Sequence, residues 1–262
     1  VPRALQLVSG FATVGAAATT VVTPSPGDTF TVPSFDLSSR AYLENFWAVG
    51  ASADWVRIRS PRMHDANHGI RVRLGGITGQ ALIPWEATQP LYPVDTPIVE
   101  IDQTAAASAA ISTLYSFDDL PGVNPRFGTE ADVMPRVRQI MGCEVALGAA
   151  AAIGSYSAGV ALNSTFDNFE AGLDYALLGY ETVVSALSVS VVGQDTGNLR
   201  IGGPGINNPQ VTYDWFVRMS RLTGTAYIPI IAANNKGATL VSQVNNTAIA
   251  AQTITLILAE LG

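Results

Sequence analysis

Lysine occurs once in this chain, at Lys236, cysteine once, at Cys143, and histidine twice, at His64 and His68. A single cysteine excludes an intrachain disulfide framework and any multi-cysteine metal site; Cys143 reads as a small buried hydrophobe at the start of a strand. Charge is scarce as well. Charged residues make up 13% of the chain against 48% hydrophobic, where soluble proteins carry roughly a quarter charged. So few charges leave surface that neighbouring subunits are expected to cover, although a base composition favouring Ala, Gly, Val and Arg gives the same balance. The net charge of −7 is spread among scattered acids and arginines. Nucleic-acid surfaces gain affinity from clustered Lys and Arg, so none is expected here. No run approaches the 18 apolar residues of a membrane-crossing helix, and Val1-Pro2-Arg3 carries no leader pattern.

What is present is a repeat. Residues 104–120 and 246–261 are two versions of one segment: an Ala-rich lead-in, an alternating run (Ile111, Thr113, Tyr115, Phe117; Ile254, Leu256, Leu258) and an acid-Leu close, Asp119-Leu120 and Glu260-Leu261. Period-2 alternation predicts a strand with one buried face. Pro121 and Pro125 cannot continue it, so the chain leaves the sheet between them. Further blocks keep the same order. Val14–Ala18 matches Leu147–Ala151 at a shift of 133, and Ala41, Leu43 and Glu44 match Ala171, Leu173 and Asp174 at 130, the shift that also relates Asp65 to Asp195. Ile70-Arg71-Val72 matches Leu199-Arg200-Ile201 at 129, and Leu82-Ile83-Pro84 matches Tyr227-Ile228-Pro229 at 145. The rise from 129 to 145 places a 16-residue insertion between Ile201 and Tyr227. The chain therefore reads as all-β, with a first domain over 1–120, a linker over 121–141 and a second domain over 142–262.

Along the first domain, strands are expected in 4–32 around a 23–28 loop, then from Phe30 through Val32 and Phe35. Trp55–Arg59 should be a strand with Arg57 and Arg59 on its polar face and Trp55, Val56 and Ile58 mostly on the other. Ile70–Leu74, Leu82–Trp85 and Pro97–Ile101 follow, while residues 40–48 fit a helical turn or a strand. In the linker Thr129 caps a short helix running toward Met141, with Pro135 limiting its regularity. Tyr175–Leu178, Val183–Val192 and Leu199–Ile201 are strand-like, and Gly202-Gly203-Pro204-Gly205 reads as a turn. The insertion predicts a helix capped by Thr212, stopped by Gly224 and apolar along Trp215, Phe216, Met219 and Leu222; an alternating strand through Val211, Tyr213, Trp215, Val217 and Met219 is the other reading.

Chemistry is harder to place. His64, Asp65 and His68 form a lone cluster, but a metal site needs three or four ligands and second-shell support, so they read as a polar loop tip. No Gly-x-Ser-x-Gly elbow occurs, and Gly202–Gly205 lacks the lysine of a phosphate loop. Asp118-Asp119 ends a strand, where paired acids solubilise more often than they catalyse. Asn163-Ser164-Thr165 and Asn245-Asn246-Thr247 match a frequent glycosylation pattern. The expectation is no catalytic, cofactor or metal site, and no enzyme.

Two tandem β-domains with paired closing strands at 111–120 and 252–261, shared strands at 82–84 and 227–229 and a helix-bearing insertion in the second resemble the double jelly-roll major capsid proteins of tailless icosahedral viruses, bacteriophages among them. The resemblance implies two tandem eight-stranded jelly rolls and a homotrimer approximating a hexagon. It also implies a place in the virion capsid, with neighbouring capsomers, minor capsid proteins and an internal membrane as partners and no direct nucleic acid. A secreted or cell-surface protein binding carbohydrate would instead expose aromatics beside carboxylates, for which Trp47, Trp55, Trp85 and Trp215 are candidates; their apolar contexts point to core packing. A hydrolase on one large β-fold is the third alternative.

Overall fold

The computed structural model describes residues 3–35, 40–49, 52–62, 69–73, 80–149, 152–183, 186–205, 207–244 and 251–262, with Val49 and residues 80–88 described by backbone alone. In the first half the strands are β1 (Arg3–Val14), β2 (Ala18–Val21), β3 (Thr23–Pro24), β4 (Arg40–Val49), β5 (Ala53–Arg59), β6 (Ile70–Arg73), β7 (Gln80–Leu91), β8 (Ile98–Gln103) and β9 (Ala107–Asp118). They form a five-stranded sheet, β3-β1-β9-β4-β7, and a four-stranded sheet, β2-β8-β5-β6. The second half begins with β10 (Phe127–Gly128) and a one-turn helix, α1 (Glu130–Val133). It continues with β11 (Val137–Leu147), β12 (Val160–Ala161), β13 (Asp174–Thr182), β14 (Ser188–Val192) and β15 (Ile201–Pro204). The helices α2 (Pro209–Thr212) and α3 (Trp215–Thr223) lead into β16 (Ile228–Ala232), β17 (Leu240–Val244) and β18 (Gln252–Leu261). Its sheets are β10-β16-β13-β18-β11 and β12-β17-β14-β15.

Setting aside the two-residue strands β3 and β10, each half has eight strands in the same order: first-eighth-third-sixth in one sheet, second-seventh-fourth-fifth in the other. The pairing is antiparallel throughout the described ladders, and none joins 3–118 to 127–261. Two packed sheets in this winding are a jelly roll. The chain is a double jelly roll, and its halves are one fold made twice.

Three of the repeat blocks reach equivalent strands, while Ala171 and Leu173 precede β13 and Leu199 and Arg200 precede β15, outside the strands that hold their counterparts. Val14 and Leu147 end the first strand of each half, β6 and β15 are both fifth, and β7 and β16 both sixth. The insertion lies between the fifth and sixth strands of the second half, and α3 is the expected helix, stopped by Gly224 in the left-handed conformation at φ 65. Its start differs from expectation: Asn208 caps α2, and Asp214 precedes α3. Leu222 is 49% exposed, while Trp215, Phe216, Val217, Met219 and Ser220 are buried.

Other expectations are corrected by tertiary contacts. Gly202, Gly203 and Pro204 are strand, not turn. A Cβ on Gly203 would lie 2.3 Å from the Tyr180 hydroxyl and 2.4 Å from Trp215 Nε1, so glycine here admits two large side chains rather than bending the chain. Phe30 and Val32 are buried but belong to no strand; Val32 N–H donates to Asp95 O instead. The capping box of Thr129 and Asp132 opens a helix of one turn, after which a 3-10 turn carries Pro135 and the strand β11 starts at Val137, inside the stretch expected to be linker and helix. Cys143 is fully buried, as expected, but lies in the middle of β11. Residues 40–48 are strand.

The closing strands are buried on both faces where one was expected. In β9, Ile111, Thr113, Tyr115 and Phe117 line the first half's own core, while Ala110, Ser112, Leu114 and Ser116 are covered from outside. Leu5, Leu7, Trp47, Ala110 and Leu114 belong to the same apolar cluster as the second half's core. The outward face of the first five-stranded sheet is therefore the seam between the halves.

Candidate functional site

The seam concentrates the buried polar chemistry of the described chain. Trp47, on β4, has no exposed surface; its indole N–H donates to Leu187 O at 2.9 Å and its ring meets Trp215 edge-on at 6.1 Å. Asn45 Nδ2 lies 3.9 Å from Met219 Sδ of α3. Arg3 pairs with the fully buried Glu44, which also accepts from Ser116, and the guanidinium lies over the Tyr227 ring at 5.7 Å. Breaking such a buried pair by removing one partner costs about 3–5 kcal/mol, because the other charge is stranded. Burial, with the nearby Glu44 charge adding to it, pushes the Tyr227 phenol well above its ordinary range.

A second network crosses the seam. Asp28, from the loop after β3, accepts Ser9 N–H at 2.7 Å, the Tyr156 hydroxyl at 2.8 Å and Arg200 Nη1 at 2.9 Å. Arg200 lies over the Tyr156 ring at 3.7 Å, and Leu7 N–H donates to Arg200 O at 2.7 Å. Burial raises the Asp28 carboxyl above its usual range, outweighing the hydrogen bonds from Ser9 and Tyr156 and the charge of Arg200, which pull it down. A carboxyl that holds its proton more tightly when folded contributes stability present below its unfolded value and lost as pH rises through its folded value. Thermal melts over falling pH should therefore show the wild type gaining on the Asp28→Asn variant through the Asp28 titration. A gap that moves the other way would contradict this reading of the seam.

Outside the seam, the outward face of β5, β6 and β8 carries four of the chain's 13 arginines, Arg57, Arg59, Arg71 and Arg73. Glu100 takes Arg57 at 2.6 Å and Arg59 at 2.9 Å. The hydrogen bond from Arg59 is the main cause holding its carboxyl below the usual range. Trp55 lies on this arginine face, not opposite it, with Arg57 and Arg71 over its ring at 5.3 and 4.3 Å; Val56 and Ile58 point into the core. Cation–π contacts let like charges stand side by side here.

His64, Asp65 and His68, and the second glycosylation-like triplet at 245–247, lie outside the described residues, as does the side chain of Trp85. Trp47 and Trp215 are fully buried and Trp55 is 8% exposed. Asp119 closes β9 in the left-handed conformation at φ 62, so the acid pair sits at a chain reversal. Burial pushes the Cys143 thiol up to about 11, leaving it protonated at neutral pH. Among the described residues no group of three or more His, Cys, Asp or Glu is arranged to hold a metal ion, and no helix is long and apolar enough to cross a membrane. Sequence reasoning missed Asp28, Tyr156 and Arg200 as a unit; the one available signal was the match of Arg200 to Arg71 within the repeat.

What these features define is a class of architecture, two jelly rolls joined through a buried seam. No known protein family matches the chain, and no curated protein does. Among solved structures it is similar over 98% of its length to the PBSX exported protein XepA, covering 86% of that chain at 7% identity with a TM-score of 0.28. It is similar over 99% of its length to the major capsid protein P2 of bacteriophage PM2, covering 98% of that chain at 8% identity with a TM-score of 0.26.

Proposed function

We propose that the chain is a structural protein of a virion, a major capsid protein whose homotrimer forms a pseudo-hexagonal tile of an icosahedral shell. The observation that supports it most is the repetition of one strand order in both halves: three copies of a duplicated fold place six similar bodies around a threefold axis, and such a tile packs against neighbours on every side. The low charge of the chain fits a surface that other copies cover. So do the exposed apolar side chains of Val94 at 60%, Ile140 at 55% and Val183 at 65%. Its partners in this reading are itself, neighbouring capsomers, minor capsid proteins and an internal membrane, with no direct nucleic acid, in keeping with the net charge of −7. The carbohydrate reading would need tryptophan rings open to solvent, whereas Trp47, Trp55 and Trp215 are buried.

Interfaces within the trimer should exceed the roughly 1,600 Å² of a standard complex. Light scattering at micromolar concentration is expected to give three times the chain mass, with larger assemblies under some salt conditions. A monomer or dimer under every salt condition would overturn the proposal.

A further inference from the structure

The seam is built from parts that both halves carry, and in the second half the corresponding groove is open. Gln6 and Leu7 of β1, with Gly27 and Asp28 of the loop beyond β3, wall one side of a crevice of about 250 Å³ whose other side includes Arg200. At the 133-residue shift that pairs Val14 with Leu147, Gln6 and Leu7 become Gln139 and Ile140. Those two residues, with Asp167 and Glu170 of the loop beyond β12, line a groove of about 480 Å³. Leu7 is 1% exposed because the other half covers it; Ile140 is 55% exposed. Asp167 is paired with Lys236. Glu170 is exposed, and its carboxylate has no partner among the described residues.

The arginine that closes the crevice is duplicated too. Arg200 stacks on Tyr156 of its own half and presents its guanidinium to Asp28 of the other. At the shift of 129 its counterpart is Arg71, on the outward face of the fifth strand of the first half. Arg71 stacks on Trp55 of its own half, is exposed, and has no carboxylate partner among the described residues. One half thus offers an acid-lined groove with an uncovered isoleucine, and the other a stacked arginine. They lie on opposite halves, as Asp28 and Arg200 do.

We propose that a second copy of this chain completes the pattern: its Arg71 enters the groove between β11 and residues 167–170 and pairs with Glu170, while the fifth-strand side of its first half covers Ile140. This rests on the self-assembly reading above and specifies its contact surface. Each half then gives a groove to one neighbour and an arginine to the other, a head-to-tail arrangement that closes into a ring where the rotation permits. Helix α3, which adds Trp215 and Met219 to the seam inside the chain, comes from an insertion that the first half lacks, since β6 and β7 are joined by only six residues. The contact between copies is accordingly more polar than the seam and more sensitive to salt.

Charge exchange on the full chain tests this. Arg71→Glu and Glu170→Arg should each weaken association about tenfold or more, by setting like charges against each other, and the double exchange should restore it. The melting temperature of the separated protomer should stay unchanged for Glu170→Arg, whose carboxylate has no partner among the described residues, and shift only slightly for Arg71→Glu, which gives up its stacking on Trp55. Ile140→Asp should weaken association as well. If the wild type assembles and the single exchanges leave assembly intact, this contact is wrong while the self-assembly reading stands. If the singles weaken assembly and the double does not restore it, the pairing is wrong. A wild type that never associates overturns both.

Discussion

Removing residues 252–262 is expected to unfold the second jelly roll. The segment is β18, which pairs with β11 along one edge and β13 along the other. Its loss would cut β11 off from β13 in the five-stranded sheet and leave two rows of backbone groups without partners. It also carries Ile254, Leu256, Ile257, Leu258 and Leu261, each at most 4% exposed. At about 1.5–3 kcal/mol for each such side chain, their loss alone is comparable to the ~5–15 kcal/mol that holds a whole domain folded. Circular dichroism and proteolysis should show residues from Val137 onward unfolded and digested, with a resistant core from the first half surviving. A truncated chain that keeps wild-type melting and protease resistance would mean that β18 is not an interior strand paired on both sides.

Trp47→Ala should have the next largest effect, and on the seam rather than on either core. The substitution empties a site with no solvent access, takes from Leu187 O one of its two donors, the other being Gly205 N–H, and removes the ring against which Trp215 packs. Cavities of this kind cost about 3–5 kcal/mol. Because Trp47 projects away from the first half's own core, the halves should uncouple before they unfold. Calorimetry is expected to show one cooperative transition in the wild type and two in the variant. A single transition shifted only slightly, as for an exposed residue, would show that the two tryptophans do not hold the halves together.

Local pattern carries the strands of this fold well, and the duplicated order with them. The shared sixth strands at 82–84 and 227–229, the closing strands and the helix in the insertion all follow from periodicity and breakers in the sequence. What misleads is any residue whose reason lies far along the chain. Gly203 looks like a turn former because nothing near it in sequence announces Tyr180 and Trp215. Trp55 looks like a core residue turned from its arginines, yet its ring is where two of them stack. The second buried face of β9 has the same origin: Ala110, Ser112, Leu114 and Ser116 alternate as solvent-facing residues would, and only the other jelly roll buries them. Asp28 and Arg200 are 172 positions apart, so the seam is invisible to any local reading, and only the repeat relates Arg200 to Arg71.

That relation joins the fold to the proposed assembly, since a seam made once inside the chain and again between copies sets six jelly rolls in one ring. The most direct test is image averaging of the purified assembly without imposed symmetry. The account predicts a ring of six lobes with threefold symmetry, alternate lobes carrying the extra density of the inserted helices α2 and α3. A twofold particle, or a ring in which second halves touch only second halves, would contradict it.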